Sequence, residues 1–419
     1  MADSPSARNP ILASLASLKL TVWLLAAAMV LIFFATIDQV HLGIHEVVRI
    51  YFRSFIAYYD IRTGGGWDEA RKAVLPPEPV FRLWLPGGYI LGTLFLINLV
   101  AAHMTRFKLS WKKSGIVLIH AGIVLILLGE LFTGLAARET QMSIDEGQTT
   151  NYSEDPLDVE LAFVDRTDPG REKHIVIPSA MLVDGRRISP PELPFSVEIV
   201  AYHPNARLAM QQDNPGPGWS PVPADQGLST GVLYAPSARA KRLDEINLPL
   251  VFIRLHEGNK TLGTWMAGRQ IPMEQQATDS RGKNWSIALR GAREYKPFSI
   301  TLRDFQHTKY PGTEIPKDFS SFITLTEKGL EQGRDVRIWM NHPLRHGGYT
   351  FYQHQFKNND ATTVLLVVRN PSWLIPYIAC IVVFVGLTLQ FGLSLHSHMS
   401  RRPLRKPTSQ SPEPSPLQP

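Results

Sequence analysis

Histidines set in apolar surroundings are the residues of this sequence best suited to chemistry, and His120 is the clearest of them. It lies in the run Ser114–Gly129, which holds no charged residue, seven positions after Lys113. At ~1.5 Å per helical residue it stands ~10 Å beyond the last lysine. A ring nitrogen in hydrocarbon without a partner is costly, so such a residue faces a helix bundle or a functional pathway. Imidazole is a common axial ligand to haem iron. The bland alternative is a neutral ring that braces a neighbouring helix through one hydrogen bond. His103 closes the preceding apolar run beside Arg106 and is the second candidate, although the headgroup zone would also accommodate it. His41 and His45 fall on one face if the first apolar helix continues that far. His396 and His398 mark the end of the last apolar run, and His342, His346 and His354 lie in a hairpin-like stretch where surface positions outnumber ligands.

Other chemistries are removed early. The chain has 419 residues and one cysteine, Cys380, inside an apolar run, which excludes a disulfide framework, a thiolate metal site and a thiol redox pair. No Walker loop or dinucleotide fingerprint occurs, and no nucleophile, base and orienting acid are marked.

Four apolar runs must position these residues. Leu20–Ile37 is uncharged between Lys19 and Asp38, and Leu83–Met104 between Arg82 and Arg106. Ser114–Gly129 continues past Glu130 to Leu135, and the last run has its apolar heart at Trp373–Leu395. Each reaches or approaches the ~20 helical residues that cross a bilayer, and the first is too long for the apolar core of a cleaved signal peptide. Segments 1–19, 105–113 and 396–419 hold ten basic residues against two acidic ones, Asp3 and Glu413. The positive-inside tendency makes them cytoplasmic. The net charge of +6 is therefore a topology signal, with no sign of nucleic-acid binding. The fold class expected is a membrane protein with four transmembrane α-helices (20–37, 83–104, 114–135, 370–395) and a large, mainly β extracytoplasmic domain. An extracytoplasmic loop, 38–82, follows the first helix.

The segment 136–369 reads as strands: Phe195–Val200, Leu248–Leu255, Trp285–Arg290, Phe298–Arg303, Phe322–Leu325 and Val336–Trp339 mix alternating and β-branched residues. Asp184-Gly185, Pro311-Gly312 and Gly347-Gly348 are turn formers between several of them. The Pro- and Gly-rich stretch near 204–247 reads as a long loop or insertion, and the Pro/Ser-rich tail as disordered. Gly88, Gly92, Gly115 and Gly122 are small enough to let helices approach closely.

Met340-Asn-His-Pro-Leu-Arg-His-Gly-Gly-Tyr-Thr-Phe-Tyr-Gln353 resembles a motif of the ResB/CcsB family of cytochrome c biogenesis proteins. Leu302–Phe305, Tyr310-Pro-Gly and Pro316-Lys-Asp-Phe-Ser-Ser321 resemble that family's strand pair and turn. Thr363–Asn370 resembles its run into the last helix, Leu15–Leu20 its opening, and His120 falls where members carry a histidine in the third helix. The resemblance covers nearly the whole chain, apart from the stretch near 204–247. It implies a subunit of the System II cytochrome c synthase in the bacterial cytoplasmic membrane. With CcsA (ResC), such a subunit exports haem b, a transient cargo, and promotes its covalent attachment to apocytochrome c. It implies no catalysis by this chain alone, and partners that include thioredoxin-like thiol reductants. His120, with His103 as the lesser candidate, would be the haem ligand, and the outer domain would receive apocytochrome. Two other classes remain open: a haem-b electron-transfer subunit, and a membrane-anchored β-domain receptor or scaffold.

Overall fold

The computed structural model describes residues 10–63, 66–68, 73–75, 78–106, 110–168, 170–237, 247–271, 273–313, 316–327, 329, 333–358 and 361–400. The first nine residues and the tail expected to be disordered lie outside them. Two compact units are present: 1–31, 86–135 and 372–419 form one, 32–85 and 136–371 the other.

The helices are α1 (Pro10–Leu15), α2 (Leu18–Val47), α3 (Gly88–Arg106), α4 (Ser114–Ala136) and α5 (Ile375–Ser400). Among the described residues four are long and apolar enough to cross a membrane, over Leu18–Val40, Gly88–Thr105, Trp111–Ala136 and Ile375–Ser400. Their ends differ from the hydropathy reading for local reasons. Leu83–Leu85 belong to the strand Glu78–Pro86, because a residue before proline is driven from helical to extended backbone. Pro371 and the turn after it likewise delay α5 to Ile375. In α2 the helix runs through Asp38, whose carboxylate is buried and accepts a hydrogen bond from the Tyr51 hydroxyl at 3.0 Å. A partnered acid does not end a helix. Gly43, at φ 72 and ψ 168, does interrupt it. His41 and His45 flank that break, so continuous helix does not align them; their side chains lie outside the described residues. Past Val47 the chain makes a π-helical turn, Val48–Phe52, then pairs Ile56–Thr63 with Glu78–Pro86.

The β unit is organised by two long strands, Thr149–Asp168 and Asn284–Lys309, which pair antiparallel and run through two cores. Trp285–Arg290 and Phe298–Arg303, separate strands by sequence pattern, are parts of the second one. Register shifts at Gly291/Arg293 and Tyr295/Ile300 divide it. Pro297 falls in the second irregularity, where no ladder N–H is required.

The first core gathers Leu161, Phe163, Val197, Ile253, Trp285 and Ile287 beneath a four-stranded sheet in the order Lys260–Gly268, Leu250–Glu257, Ser196–His203, Arg187–Ile188. The second gathers Met142, Ile300, Leu302, Ile323, Phe351 and Leu365. It is wrapped by Arg334–Trp339, Pro316–Glu327, Asn284–Lys309, Thr149–Asp168, Arg138–Asp145, Thr362–Arg369, Tyr349–Lys357 and Leu344–His346, in that order. Each such apolar side chain contributes ~1.5–3 kcal/mol on burial, so these cores hold the domain without a disulfide.

The stretch near 204–247 is more ordered than a loop. Ala206–Met210, Val232–Pro236 and Ser220–Pro221 form a three-stranded sheet. Ala206, Val222 and Val232 pack there against Phe252 and Met266. Strands of two to five residues with at most two of them buried carry too little alternation to stand out among prolines and glycines. Residues 238–246 lie outside the described residues.

Candidate functional site

A short connection makes α3 and α4 antiparallel neighbours, so a residue near the end of one meets a residue near the start of the other. His103 is three residues before the end of α3, and His120 six residues after the start of α4. Their rings are in edge contact, with centroids 4.7 Å apart and planes at 65°. Both side chains are half-buried. Each Nδ1 is held by the carbonyl one turn back on its own helix: His103 to Leu99 O at 3.0 Å, His120 to Ile116 O at 2.8 Å. A carbonyl oxygen only accepts, so in both rings Nδ1 carries the proton. In the neutral ring Nε2 then carries the lone pair. This is the arrangement that orients metal-binding imidazoles, where the ligand nitrogen is set by the hydrogen bond of the other one.

The donor set fits a haem held by one protein imidazole at a time. Two axial bonds of about 2 Å each, with a porphyrin plane between them, would hold two ring centroids on the order of 6 Å apart. At 4.7 Å the rings touch and leave no room for that plane. Among the described residues no three His, Cys, Asp or Glu side chains gather as a metal centre.

Packing among the helices uses polar and small residues. Asn98 is 2% exposed; its Oδ1 accepts from Thr21 Oγ1 at 2.7 Å and its Nδ2 donates to Leu15 O at 2.6 Å and Ser17 O at 3.1 Å. This clamp ties α3 to the α1–α2 joint. Histidine alone drew attention in the sequence, but an asparagine within an apolar run carried the same signal. On another face of α4, Gly115, Gly122 and Gly129 meet α5. A Cβ on Gly115 would stand 2.6 Å from the Gly386 carbonyl oxygen, and one on Gly122 would meet Val383 and Ala379. Gly92, by contrast, has nothing within 4 Å of its would-be Cβ. Cys380 on α5 is a free, exposed thiol.

The motif-bearing stretch of the β unit turns out to be a folding device. Gly347 and Gly348 (φ 58 and 81) form the two-residue turn between Leu344–His346 and Tyr349–Lys357, and positive φ at both positions defines the favoured hairpin turn. A Cβ on Gly347 would also strike the Phe298 ring at 2.9 Å. His342 stacks on Trp339 at 4.2 Å, and His346 pairs with Glu327 at 2.9 Å. Gln353 joins a polar network: Ser321 Oγ donates to its Oε1 at 2.6 Å, and its Nε2 donates to Thr363 Oγ1 at 3.0 Å. Ser321 and Gln353, distant in sequence, thus meet in the second core. His354 is exposed where the register shifts between Gln353 and Gln355.

A charged cluster stands at one end of this sheet. Lys296 has no exposed side-chain surface; its Nζ is 3.2 Å from Glu294 Oε2 and 4.1 Å from the centroid of the Tyr349 ring. The Tyr349 hydroxyl donates to Glu294 Oε1 at 2.7 Å. Burial pulls the Lys296 ammonium below the ordinary lysine value, and Glu294 only partly restores it. Burial pushes the Glu294 carboxyl up, but Tyr349, Lys296 and Arg369 outweigh it and hold it below the ordinary range.

Comparison with known proteins gives two matches. Residues 262–374, from the strand Lys260–Gly268 to the approach to α5, match the ResB-like family. Protein NrfI of Wolinella succinogenes is 30% identical over 91 residues, which cover 22% of this chain and 10% of that protein. The family match takes in the Gly347-Gly348 hairpin, Ser321, Gln353 and both strands of the Lys296 cluster, so this part of the chain is similar to the ResB-like family.

Proposed function

We propose that this chain is a membrane subunit of the cytochrome c biogenesis machinery that takes haem at His120 and passes it, with a CcsA-type partner, toward apocytochrome c. The carrying observation is the His103–His120 pair, with both Nδ1 atoms tied to helix carbonyls. Haem is cargo in this reading: iron is accepted by one imidazole Nε2, and the second axial position is left to the partner. A lone protein ligand suits transfer, because a cargo held from both sides by one chain would be slow to leave. His103, in contact with His120, serves as its lesser alternate.

The basic segments 1–19, 105–113 and 396–419 support a topology with both termini cytoplasmic and the β domain outside. His120 would then lie in the inner half of the bilayer, on the side where haem is made. The β domain would receive and orient apocytochrome. The only thiol of the chain is Cys380, so thioredoxin-like reductants would keep the apocytochrome thiols reduced before haem attachment. A resident bis-histidine haem for electron transfer fits poorly with two rings already in contact.

The test is the purified full chain, alone and with its CcsA-type partner, comparing wild type with His120→Gly. Loss of a first ligand is expected to lower retained haem by at least about tenfold, and added imidazole is expected to restore it. Unchanged haem content and no response to imidazole would remove His120 from the pathway. Absence of haem from the wild type in both preparations would favour a scaffold.

A further inference from the structure

The two strands that join the β domain to α4 and α5 are paired, and an arginine from each meets at their end. The strand Arg138–Asp145 begins two residues after α4 ends at Ala136, and Thr362–Arg369 ends six residues before α5 begins at Ile375. In the antiparallel register Arg369 is directly opposite Arg138. Both side chains are exposed. Like charges opposite one another on a ladder are destabilising. The local carboxylate, Glu294, is already engaged: it accepts from Tyr349 and faces buried Lys296, and its Oε1 is 4.0 Å from Arg369 Nη1. Lys296 and Arg369 therefore share one anion, and Arg138, opposite Arg369, has none within ion-pair distance among the described residues.

Chain reach fixes the depth of this pair. Two extended residues span at most ~7 Å, so Arg138 stands within a headgroup layer of the end of α4, and the ladder holds Arg369 beside it. Exposed Trp373 and Tyr377 are the aromatic residues that settle at that level. We propose that Arg138 and Arg369 form a binding site for the phosphate of an anionic phospholipid on the bilayer face where the β domain stands. The proposal rests on the reading that α4 and α5 cross a bilayer, and is independent of His120. Guanidinium forks suit phosphate oxygens, two bonds to each arginine. A bridging phosphate converts a repulsive pair into a clamp on both strand ends.

The detergent-solubilised full chain is titrated with short-chain phosphatidylglycerol or phosphatidylcholine, and bound lipid is read by native mass spectrometry. The wild type is expected to prefer phosphatidylglycerol by on the order of tenfold. Arg138→Gln/Arg369→Gln is expected to abolish the preference, and Arg138→Lys/Arg369→Lys to keep part of it. No preference in the wild type, or an undiminished one in the glutamine variant, overturns the site. Displacement by inorganic phosphate at equal concentration overturns the lipid assignment in favour of a soluble anion. Should the glutamine variant fail to fold, salt decides on the wild type: a preference that fades as salt rises supports the clamp, and one indifferent to salt overturns it.

Discussion

Glu294 and Lys296 show how unequal two partners of one ion pair are. The ammonium is buried, below its ordinary pKa, and lies against the face of Tyr349. Among the described residues Glu294 is the one carboxylate beside it, and it also accepts from Tyr349. Removing the anion strands a buried cation, so Glu294→Gln is expected to cost on the order of 3 kcal/mol. Lys296→Met replaces the cation with an apolar chain of similar length and is expected to change stability by less than about 1 kcal/mol. Denaturant unfolding of the full chain, followed by the β signal in circular dichroism, separates the two. Equal losses would mean that the cation has another counter-charge. His120 follows a comparable logic: its residue type offers a ligand, but the hydrogen bond to Ile116 O selects which nitrogen offers it.

At the scale of elements, α4 presents two faces with different tasks. The face bearing His120 meets His103 on α3, and the face bearing Gly115, Gly122 and Gly129 meets α5. In the membrane setting proposed for these helices no hydrophobic driving force acts between them, and close approach by small residues supplies the attraction. A side chain at Gly122 would push against Val383 and the Ala379 carbonyl. Gly122→Leu is therefore expected to destabilise the α4–α5 pair by roughly 1–3 kcal/mol. The check is the efficiency of a disulfide between cysteines placed on α4 and α5, in the background lacking Cys380. Gly92→Leu, with open space around its would-be Cβ, serves as the control and is expected to leave cross-linking unchanged.

At the scale of the whole molecule, the two compact units divide the work proposed here. The helical unit contains the histidine pair, and the β unit contains the family motif as the scaffold of its second core. Replacing 138–369 by a flexible linker is expected to abolish maturation of a reporter cytochrome c while haem retention at His120 persists in the purified variant. Retained haem certifies that the helical unit has folded. Intact maturation would show that apocytochrome is received elsewhere.

The sequence alone determined four apolar runs, a β-rich segment between the third and fourth, and the candidate histidines. Hydropathy, alternation and residue type are local quantities, and a local pattern suffices to specify them. It also set out the Gly-Gly turn, since positive φ is a property of two residues. Tertiary structure decided the rest. Two predicted strands became Asn284–Lys309, because the irregular Pro297 region is bridged by pairing with a partner strand. The stretch near 204–247 acquired a sheet by packing on Phe252 and Met266. Asp38 stayed within a helix through Tyr51, thirteen residues away. The contact of His103 with His120, and the opposition of Arg138 to Arg369, depend on which chain segments lie side by side. That is settled by packing and register over the whole chain, which no window of sequence contains.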